Sequence, residues 1–98
     1  MAAYVISRVR IDDPDAMAQY LDEVPLVVAA YGGEYVVRTA DVTPLEGDWS
    51  HNRVVVLRFP DVKAAQAWYN SPDYAGLRAL RQQASEAQIV VVPGDTPA

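Results

Sequence analysis

Residues 3–15 read AYVISRVRIDDPD, and this stretch predicts a strand that passes directly into a helix. Val5, Val9 and Ile11 alternate with the side chains between them, which is the period-two pattern of a strand. Residues 12–15 then supply an Asp N-cap, a Pro at the first helical position and negative charge near the positive end of the helix dipole. The chain therefore opens with a strand and then a helix.

The remaining elements follow from the spacing of apolar residues along the rest of the chain. The predicted inward face of the first helix consists of Met17, Tyr20, Leu21, Val24, Val28 and Tyr31, at spacings of three and four. After it, the pattern predicts strands over residues 34–40 and 52–59, helical segments that begin at Asp61 and Ser71, and a last strand over residues 88–92. The order βαββαβ predicts an α+β, ferredoxin-like fold, with an antiparallel four-stranded sheet and both helical layers on one face.

The composition is that of a single ordered domain spanning residues 1–98. Hydrophobic residues make up 51% of the chain, which separates it from the disordered class. A net charge of −5 repels nucleic acid phosphates and anionic membranes, so neither is an expected partner. The sequence has no cysteine and no apolar run near the ~20 residues that span a bilayer. We therefore expect a cytoplasmic protein.

The alternation leaves one face of the predicted sheet without helices. It places Arg8, Arg38 and Arg58 on that face, and the apolar residues beside them are Tyr4, Ile6, Val36, Val54 and Val56. Such a face is too apolar to stay exposed to water and too charged to form an ordinary hydrophobic core. We therefore expect a homodimer in which two sheets close into a barrel. The arginines then pair with carboxylates such as Glu34 and Glu46, lie at the barrel rim, or hold an acidic ligand.

The loop between the second and third strands carries Glu46, Trp49 and His51. One interpretation is a site in which Glu46 and His51 share proton transfer, Trp49 forms a flat wall, and Arg38 or Arg53 neutralises developing negative charge. In the other, Glu46 pairs with an arginine, Trp49 packs against a partner subunit and His51 faces solvent. A single histidine without any cysteine argues against a metal site.

A second aromatic cluster surrounds the break between the two later helical segments. Trp68 has the helical spacing of a core residue, and Ser71 is explained by helix capping. Tyr69 and Tyr74 keep hydroxyls that can reach a pocket or an interface. With the loop and the helix-free face included, the candidate ligand-binding residues are Arg8, Arg38, Glu46, Trp49, His51, Arg53, Arg58 and Tyr69.

Four local patterns extend over nearly the whole chain. They are Tyr31-Gly32-Gly33 leading into Tyr35-Val36-Val37-Arg38, then Leu45-Glu46-Gly47-Asp48-Trp49, then Arg53 through Pro60, then Ala67 through Tyr74. Together they resemble the domain of unknown function 1330 family. The resemblance implies membership of the dimeric α+β barrel superfamily, which is similar in fold to small cofactor-independent monooxygenases, lactone isomerases and some haem-binding proteins. It implies no catalytic set, since proteins that share a fold differ widely in function.

Two functions remain open from the sequence. The first is binding or transformation of a small acidic or aromatic metabolite in a barrel pocket, without a metal or an organic cofactor. The second is a non-catalytic dimeric module whose barrel interior is fully packed. A cavity that contains unpaired arginine donors would distinguish the first function from the second.

Overall fold

A computed structural model describes residues 1–95 of the chain. The elements in chain order are β1 (Ala3–Ile11), α1 (Pro14–Ala30), β2 (Glu34–Thr39), β3 (Arg53–Phe59), α2 (Val62–Tyr69), α3 (Pro72–Ala84) and β4 (Ser85–Pro93). The first three strands have nearly the predicted bounds. The last strand is longer than the predicted 88–92, because β4 follows α3 without an intervening loop and pairs with β1 along its whole length.

The four strands form one antiparallel sheet in the order β2-β3-β1-β4. Helices α1, α2 and α3 lie on one face of it, so the predicted ferredoxin-like α+β fold is confirmed. The molecule is accordingly a two-layer slab, with principal extents of 38 × 37 × 16 Å. Its short dimension is close to the thickness of one helix layer on one sheet.

Each helix begins at a side-chain cap that the sequence predicted. The side chains of Asp13, Asp61 and Ser71 accept hydrogen bonds from the backbone N–H three residues further on, at 3.1, 2.7 and 3.1 Å. These bonds satisfy N–H groups that have no partner inside the helix. They fix where α1, α2 and α3 start, and therefore which of their side chains face the sheet.

The hydrophobic core lies between the helices and the sheet. Its buried members are Val5, Val24, Val28, Leu57, Phe59, Ala65, Trp68, Tyr74 and Leu77. The ring of Trp68 packs against those of Tyr74 and Phe59, with centroid separations of 4.3 and 5.5 Å. Trp68 is therefore a core residue, as its helical spacing predicted.

A β-bulge in β2 reverses the predicted orientation of one arginine. Tyr35 pairs with Leu57 and Val37 with Val56, so Val36 is an extra residue in the ladder. An extra residue shifts the alternation of every side chain that follows it. Arg38 consequently pairs with Val55 and lies on the helix side of the sheet. The prediction that Arg38 lies on the helix-free face was therefore wrong.

The opposite sheet face carries no helix within residues 1–95. Its exposed hydrophobic residues are Ile6, Val36, Val37, Val90 and Val92, of which Val36 and Val90 are more than half exposed. Since the helix layer covers only the other side, these apolar residues stay in contact with water. We refer to this face as the bare face.

Candidate functional site

A cavity of about 260 Å³ lies between the sheet and helices α1 and α3. Residues from every strand and every helix line it: Val5, Ser7, Val9, Met17, Tyr20, Leu21, Val24, Tyr35, Arg38, Arg53, Val55, Leu57, Trp68, Tyr74, Arg81 and Ile89. It therefore lies on the helix side of the sheet, within a single protomer. The sequence had placed the pocket on the other side, between the sheets of two protomers.

Three arginines line the cavity, and none of its lining residues is acidic. Arg38 is exposed, Arg53 is half-buried and Arg81 is only 5% exposed. Among the described residues, no carboxylate lies within 4.0 Å of a nitrogen of these three side chains. A buried cation without a counter-charge is energetically costly, so the cavity has a strong electrostatic preference for an anion.

The arginines lie toward one end of the cavity and the apolar residues toward the other. Arg53 pairs with Val9 in the sheet, whereas Leu57 pairs with Val5. Val9 and Val5 are four positions apart on β1, which corresponds to about 13 Å along a strand. The cationic end is formed by Arg38, Arg53 and Arg81, and the apolar end by Val5, Val24, Leu57 and Trp68.

Two tyrosines connect the helices across the cavity. The hydroxyl oxygens of Tyr20 on α1 and Tyr74 on α3 are 2.7 Å apart. Nε of Arg81 also donates to the Tyr74 hydroxyl, at 3.4 Å. Burial acts to lower the pKa of Arg81, but the hydrogen bond to Tyr74 and the nearby phenols outweigh it and the pKa is raised. The guanidinium therefore keeps its charge inside the fold.

Burial keeps the phenols of Tyr20 and Tyr35 protonated. It raises the pKa of Tyr20 far above the ordinary tyrosine value, and the adjoining Tyr74 hydroxyl adds to the effect. Burial also raises the pKa of Tyr35, although the positive charge of Arg38 opposes it. The Arg38 guanidinium lies 4.4 Å from the centroid of the Tyr35 ring, within the range of a cation–π contact. The phenols are therefore neutral hydrogen-bonding groups.

Of the predicted site residues, only Arg38 and Arg53 line this cavity. Arg8 lies on the bare face, where its guanidinium carbon is 4.2 Å from the Trp49 ring centroid and Nη2 donates to the Asp48 carbonyl at 3.2 Å. Trp49 in turn donates from Nε1 to the Glu46 carbonyl at 2.9 Å. The loop between β2 and β3 thus covers Arg8 on the opposite side of the sheet from the cavity.

The predicted pairing of Glu46 with His51 is absent from the described residues. The Glu46 side chain is exposed. His51 is mostly buried, with Nε2 3.6 Å from a Glu86 carboxylate oxygen and Nδ1 3.3 Å from the Ser50 hydroxyl. The interpretation of His51 as a solvent-facing side chain was therefore wrong, and its carboxylate neighbour comes from β4.

The last two predicted site residues also lie outside the cavity. Arg58 forms an ion pair with Glu34 across β2 and β3, which is one of the partners that the strand pattern offered. Tyr69 packs beside Trp68 and Tyr74, and the Arg78 guanidinium lies 5.0 Å from the Tyr69 ring centroid. Arg58 and Tyr69 make these contacts and do not line the cavity.

Sequence reasoning missed Arg81, the most buried charged side chain of the described region. Tyr74, Leu77, Arg81 and Ala84 form one stripe at spacings of three and four, and all four are buried. An arginine at the helical period of a buried face was the available signal.

No three His, Cys, Asp or Glu side chains within residues 1–95 are grouped so that they could hold a metal ion. None of the helices in the same range is both long enough and apolar enough to cross a bilayer.

Comparison with known proteins gives a family and a fold. The model of the family described as domain of unknown function (DUF1330) matches residues 2–95. A protein of unknown function from Rhodopseudomonas palustris has a TM-score of 0.75 at 20% identity, over 98% of this chain and 84% of that one. SnoaB, a cofactor-independent oxygenase from Streptomyces nogalater, has a TM-score of 0.67 at 13% identity, over 98% and 95%.

A protein from Mycobacterium tuberculosis has a TM-score of 0.64 at 19% identity, and the match covers 100% of this chain and 99% of that one. No curated protein matches the sequence. At these identities the solved structures establish that the fold is shared, and function has to be argued from the cavity.

Proposed function

The chain belongs to the family described as domain of unknown function (DUF1330), and from that premise we propose that it binds a small acidic or aromatic metabolite in the cavity between sheet and helices. The observation that carries the proposal is the presence of Arg38, Arg53 and Arg81 in a cavity with no acidic lining residue. Two arginines outside the cavity are instead paired with acids of the chain, Arg10 with Asp12 and Glu86, and Arg58 with Glu34.

The charge of the ligand follows from the cost of the unpaired cations. The protein as a whole carries a net charge of −5, so a cationic cavity is not a consequence of general composition. Low-dielectric walls strengthen the attraction between such cations and a bound anion. Arginine also holds carboxylates through two parallel hydrogen bonds. A carboxylic acid is therefore the ligand class that the cationic end fits best.

The body of the ligand is limited by volume and by the apolar end. A cavity of about 150 Å³ lined by apolar side chains is enough for benzene, and this one measures about 260 Å³. The apolar end is walled by Trp68, Leu57 and Val5, each no more than 5% exposed. A single ring bearing an acid group matches both the size and the distribution of polarity.

Transformation of the ligand is a second proposal for the same cavity. SnoaB is described as a cofactor-independent oxygenase, and an oxygenase without a cofactor needs a substrate whose own anion supplies electrons to dioxygen. Three arginines would stabilise such an anion. Oxygen consumption with ionisable aromatic acids tests this proposal, and binding without consumption would leave only the first.

We also propose that a second copy of the chain covers the bare face. On this face Arg58 pairs with Glu34 and Arg10 with Glu86, and Arg8 lies against the Trp49 ring and the Asp48 carbonyl. The apolar surface between these charges can be buried against an identical surface, in a two-fold symmetric pair. The alternative function, a non-catalytic dimeric module with a packed interior, requires the same dimer but no ligand in the cavity. Measurement of ligand binding therefore distinguishes the two functions.

Benzoate is the probe for the proposed function, and benzamide is its uncharged counterpart. We expect benzoate to raise the melting temperature and to bind at least about tenfold more tightly than benzamide, because only the anion interacts with the arginine charges. Arg53→Gln should weaken benzoate at least about tenfold. Arg58→Gln, which removes the same charge from the bare face, should leave it unchanged.

Equal binding of benzoate and benzamide, or loss of benzoate binding in Arg58→Gln alone, would refute the cavity as the site. Absence of any benzoate binding at millimolar concentration would favour the packed dimeric module. Circular dichroism of each variant establishes that the fold is retained before affinities are compared.

A further inference from the structure

Three side chains on the two helices that flank the cavity form a hydrogen-bonded chain. Arg81 Nε donates to the Tyr74 hydroxyl at 3.4 Å, and the Tyr74 and Tyr20 hydroxyl oxygens are 2.7 Å apart. Tyr74 is 0% exposed, whereas Tyr20 is only partly buried. All three side chains line the cavity, and Tyr20 is the most exposed of them.

The direction of the chain follows from counting hydroxyl hydrogens. Tyr20 and Tyr74 have one each, and their mutual bond uses one of the two. If Tyr20 donated to Tyr74, the Tyr74 hydrogen would be a buried donor with no acceptor among residues 1–95, which is costly. If Tyr74 donates to Tyr20, the spare hydrogen belongs to Tyr20, which unlike Tyr74 is partly exposed. The second arrangement leaves no buried donor unsatisfied.

The donation from Arg81 favours the same direction. A hydroxyl oxygen that accepts a bond from a cation becomes a stronger donor, because successive hydrogen bonds polarise one another. Arg81 therefore donates a hydrogen bond to Tyr74, Tyr74 donates to Tyr20, and Tyr20 donates to the ligand in the cavity. Ser7 is not an alternative donor, since its hydroxyl hydrogen is used on the Val55 carbonyl at 3.2 Å.

We propose that Tyr20 donates its free hydroxyl hydrogen to the acid group of the bound ligand, and that Tyr74 and Arg81 are positioning residues that orient it. This inference rests on the proposed function and narrows its ligand class. With Arg38, Arg53 and Tyr20 all donating, donors outnumber acceptors at the polar end of the cavity. The ligand is then an ionised carboxylate whose oxygens all accept, in preference to a protonated acid or an amide.

The test compares the benzoate affinities of three variants with that of the parent. Tyr20→Phe removes the donor and keeps the ring, so the dissociation constant should rise about tenfold. Tyr31→Phe is the matched control, because the Tyr31 hydroxyl bonds Asp73 at 2.8 Å on the exposed surface and lies outside the cavity. It should bind like the parent. Tyr74→Phe leaves the Tyr20 hydroxyl in place and should weaken benzoate less than Tyr20→Phe does.

A spectroscopic readout separates hydrogen bonding from general loss of shape. In protein containing ring-labelled tyrosine, Tyr20→Phe and Tyr31→Phe each identify one of the six tyrosine signals by its disappearance. Benzoate should shift the Tyr20 signal, because its hydroxyl becomes a donor, and should leave the Tyr31 signal in place.

The possible failures are distinguishable. If Tyr20→Phe binds benzoate like the parent and its signal does not move, the inference is overturned while the cavity remains the anion site. If Tyr74→Phe weakens benzoate and Tyr20→Phe does not, the chain runs the other way and the inference is again overturned. If benzoate does not bind the parent protein, both the proposed function and this inference fail.

Discussion

The guanidinium of Arg38 lies 4.4 Å from the centroid of the Tyr35 ring, on the side of the sheet that faces the helices. Residues three apart on a regular strand point to opposite faces. The contact exists because Val36 is an extra residue opposite Val56, so that Val36 and Val37 together match one residue of β3. A one-residue irregularity thus places an arginine in the cavity.

Deletion of Val36 should therefore preserve the cavity. It removes the residue that has no partner, and the remaining pairs, Tyr35 with Leu57, Val37 with Val56 and Arg38 with Val55, become consecutive members of a regular ladder. We expect the free energy of unfolding to change by no more than about 1 kcal/mol and benzoate affinity to be retained.

Deletion of Val54 is the control, because it moves Arg53 to the other face and breaks the ladder with β1. Urea unfolding and benzoate titration measure both variants. Loss of benzoate binding in the Val36 deletion, with the fold intact, would show that the bulge has a role beyond the register.

The same residues show where the alternation of side chains along a strand predicts the correct sheet face and where it does not. On β1 and β3 every side chain keeps its predicted face, because both strands are paired on each side and have no irregularity. The bulge at Val36 depends on how β2 aligns with residues 19 to 22 positions further along the chain, in the pairs Val37 with Val56 and Tyr35 with Leu57. An exposed pair of valines gives no local signal of it. Arg38 was consequently identified as a ligand residue but assigned to the wrong face.

The candidate site was only partly predictable for a related reason. Arg53 was named as a cation near the ligand, and it lines the cavity. Arg81 and Tyr20 come from helices that are far apart in sequence and meet only through Tyr74. Loops were expected to carry the chemistry, so Glu46 and His51 were preferred over polar residues on a buried helical stripe.

Replacing Tyr74 should cost more stability than replacing Tyr20. Tyr74→Phe removes the acceptor of a nearly buried arginine and the donor to Tyr20, and we expect a loss of about 2–3 kcal/mol in the free energy of unfolding. Tyr20→Phe removes one hydroxyl pair and should cost about 1 kcal/mol. Urea unfolding of both variants and of the double variant measures the coupling, which should be substantial because the two hydroxyls interact directly. Equal losses that add independently would contradict the chain described above.

Alkaline pH should destabilise the protein partly through Tyr20. Its pKa is raised in the folded state above the ordinary 10.0, so the unfolded chain loses this proton first as the pH rises. The stabilisation is fully present below pH 10.0 and is lost progressively above it. Thermal melting between neutral and alkaline pH should therefore show a shallower decline for Tyr20→Phe than for the parent. Parallel declines would mean that Tyr20 ionises equally easily in both states.

Dimerisation through the bare face should be sensitive to one charge placed on that face. Val90 on β4 is 55% exposed on this face, and Leu26 on α1 is 78% exposed on the opposite side of the slab. Sedimentation of the parent at micromolar concentration should give twice the chain mass, with an interface of about 1,600 Å² or more. Val90→Asp should give the monomer, because a buried unpaired carboxylate is costly. Leu26→Asp should remain dimeric, and a monomeric parent would refute the dimer.

The two glycines Gly33 and Gly76 should respond to alanine with opposite signs. A Cβ on Gly33 would lie 2.7 Å from ring atoms of Phe59 and 2.7 Å from Cγ1 of Val28. Both neighbours are only 1% exposed, so neither can move aside freely, and we expect Gly33→Ala to lower the free energy of unfolding by about 1–3 kcal/mol.

Gly76 lies within α3, and no atom is within 4 Å of the Cβ that alanine would add. Alanine there should raise the free energy of unfolding by about 0.5–1 kcal/mol, because glycine loses more backbone entropy than alanine in a helix. Urea unfolding of both variants measures the pair. If Gly33→Ala left the free energy of unfolding unchanged, α1 and β3 would approach less closely than the Phe59 contact indicates. The turn before β2 would then tolerate a side chain at position 33.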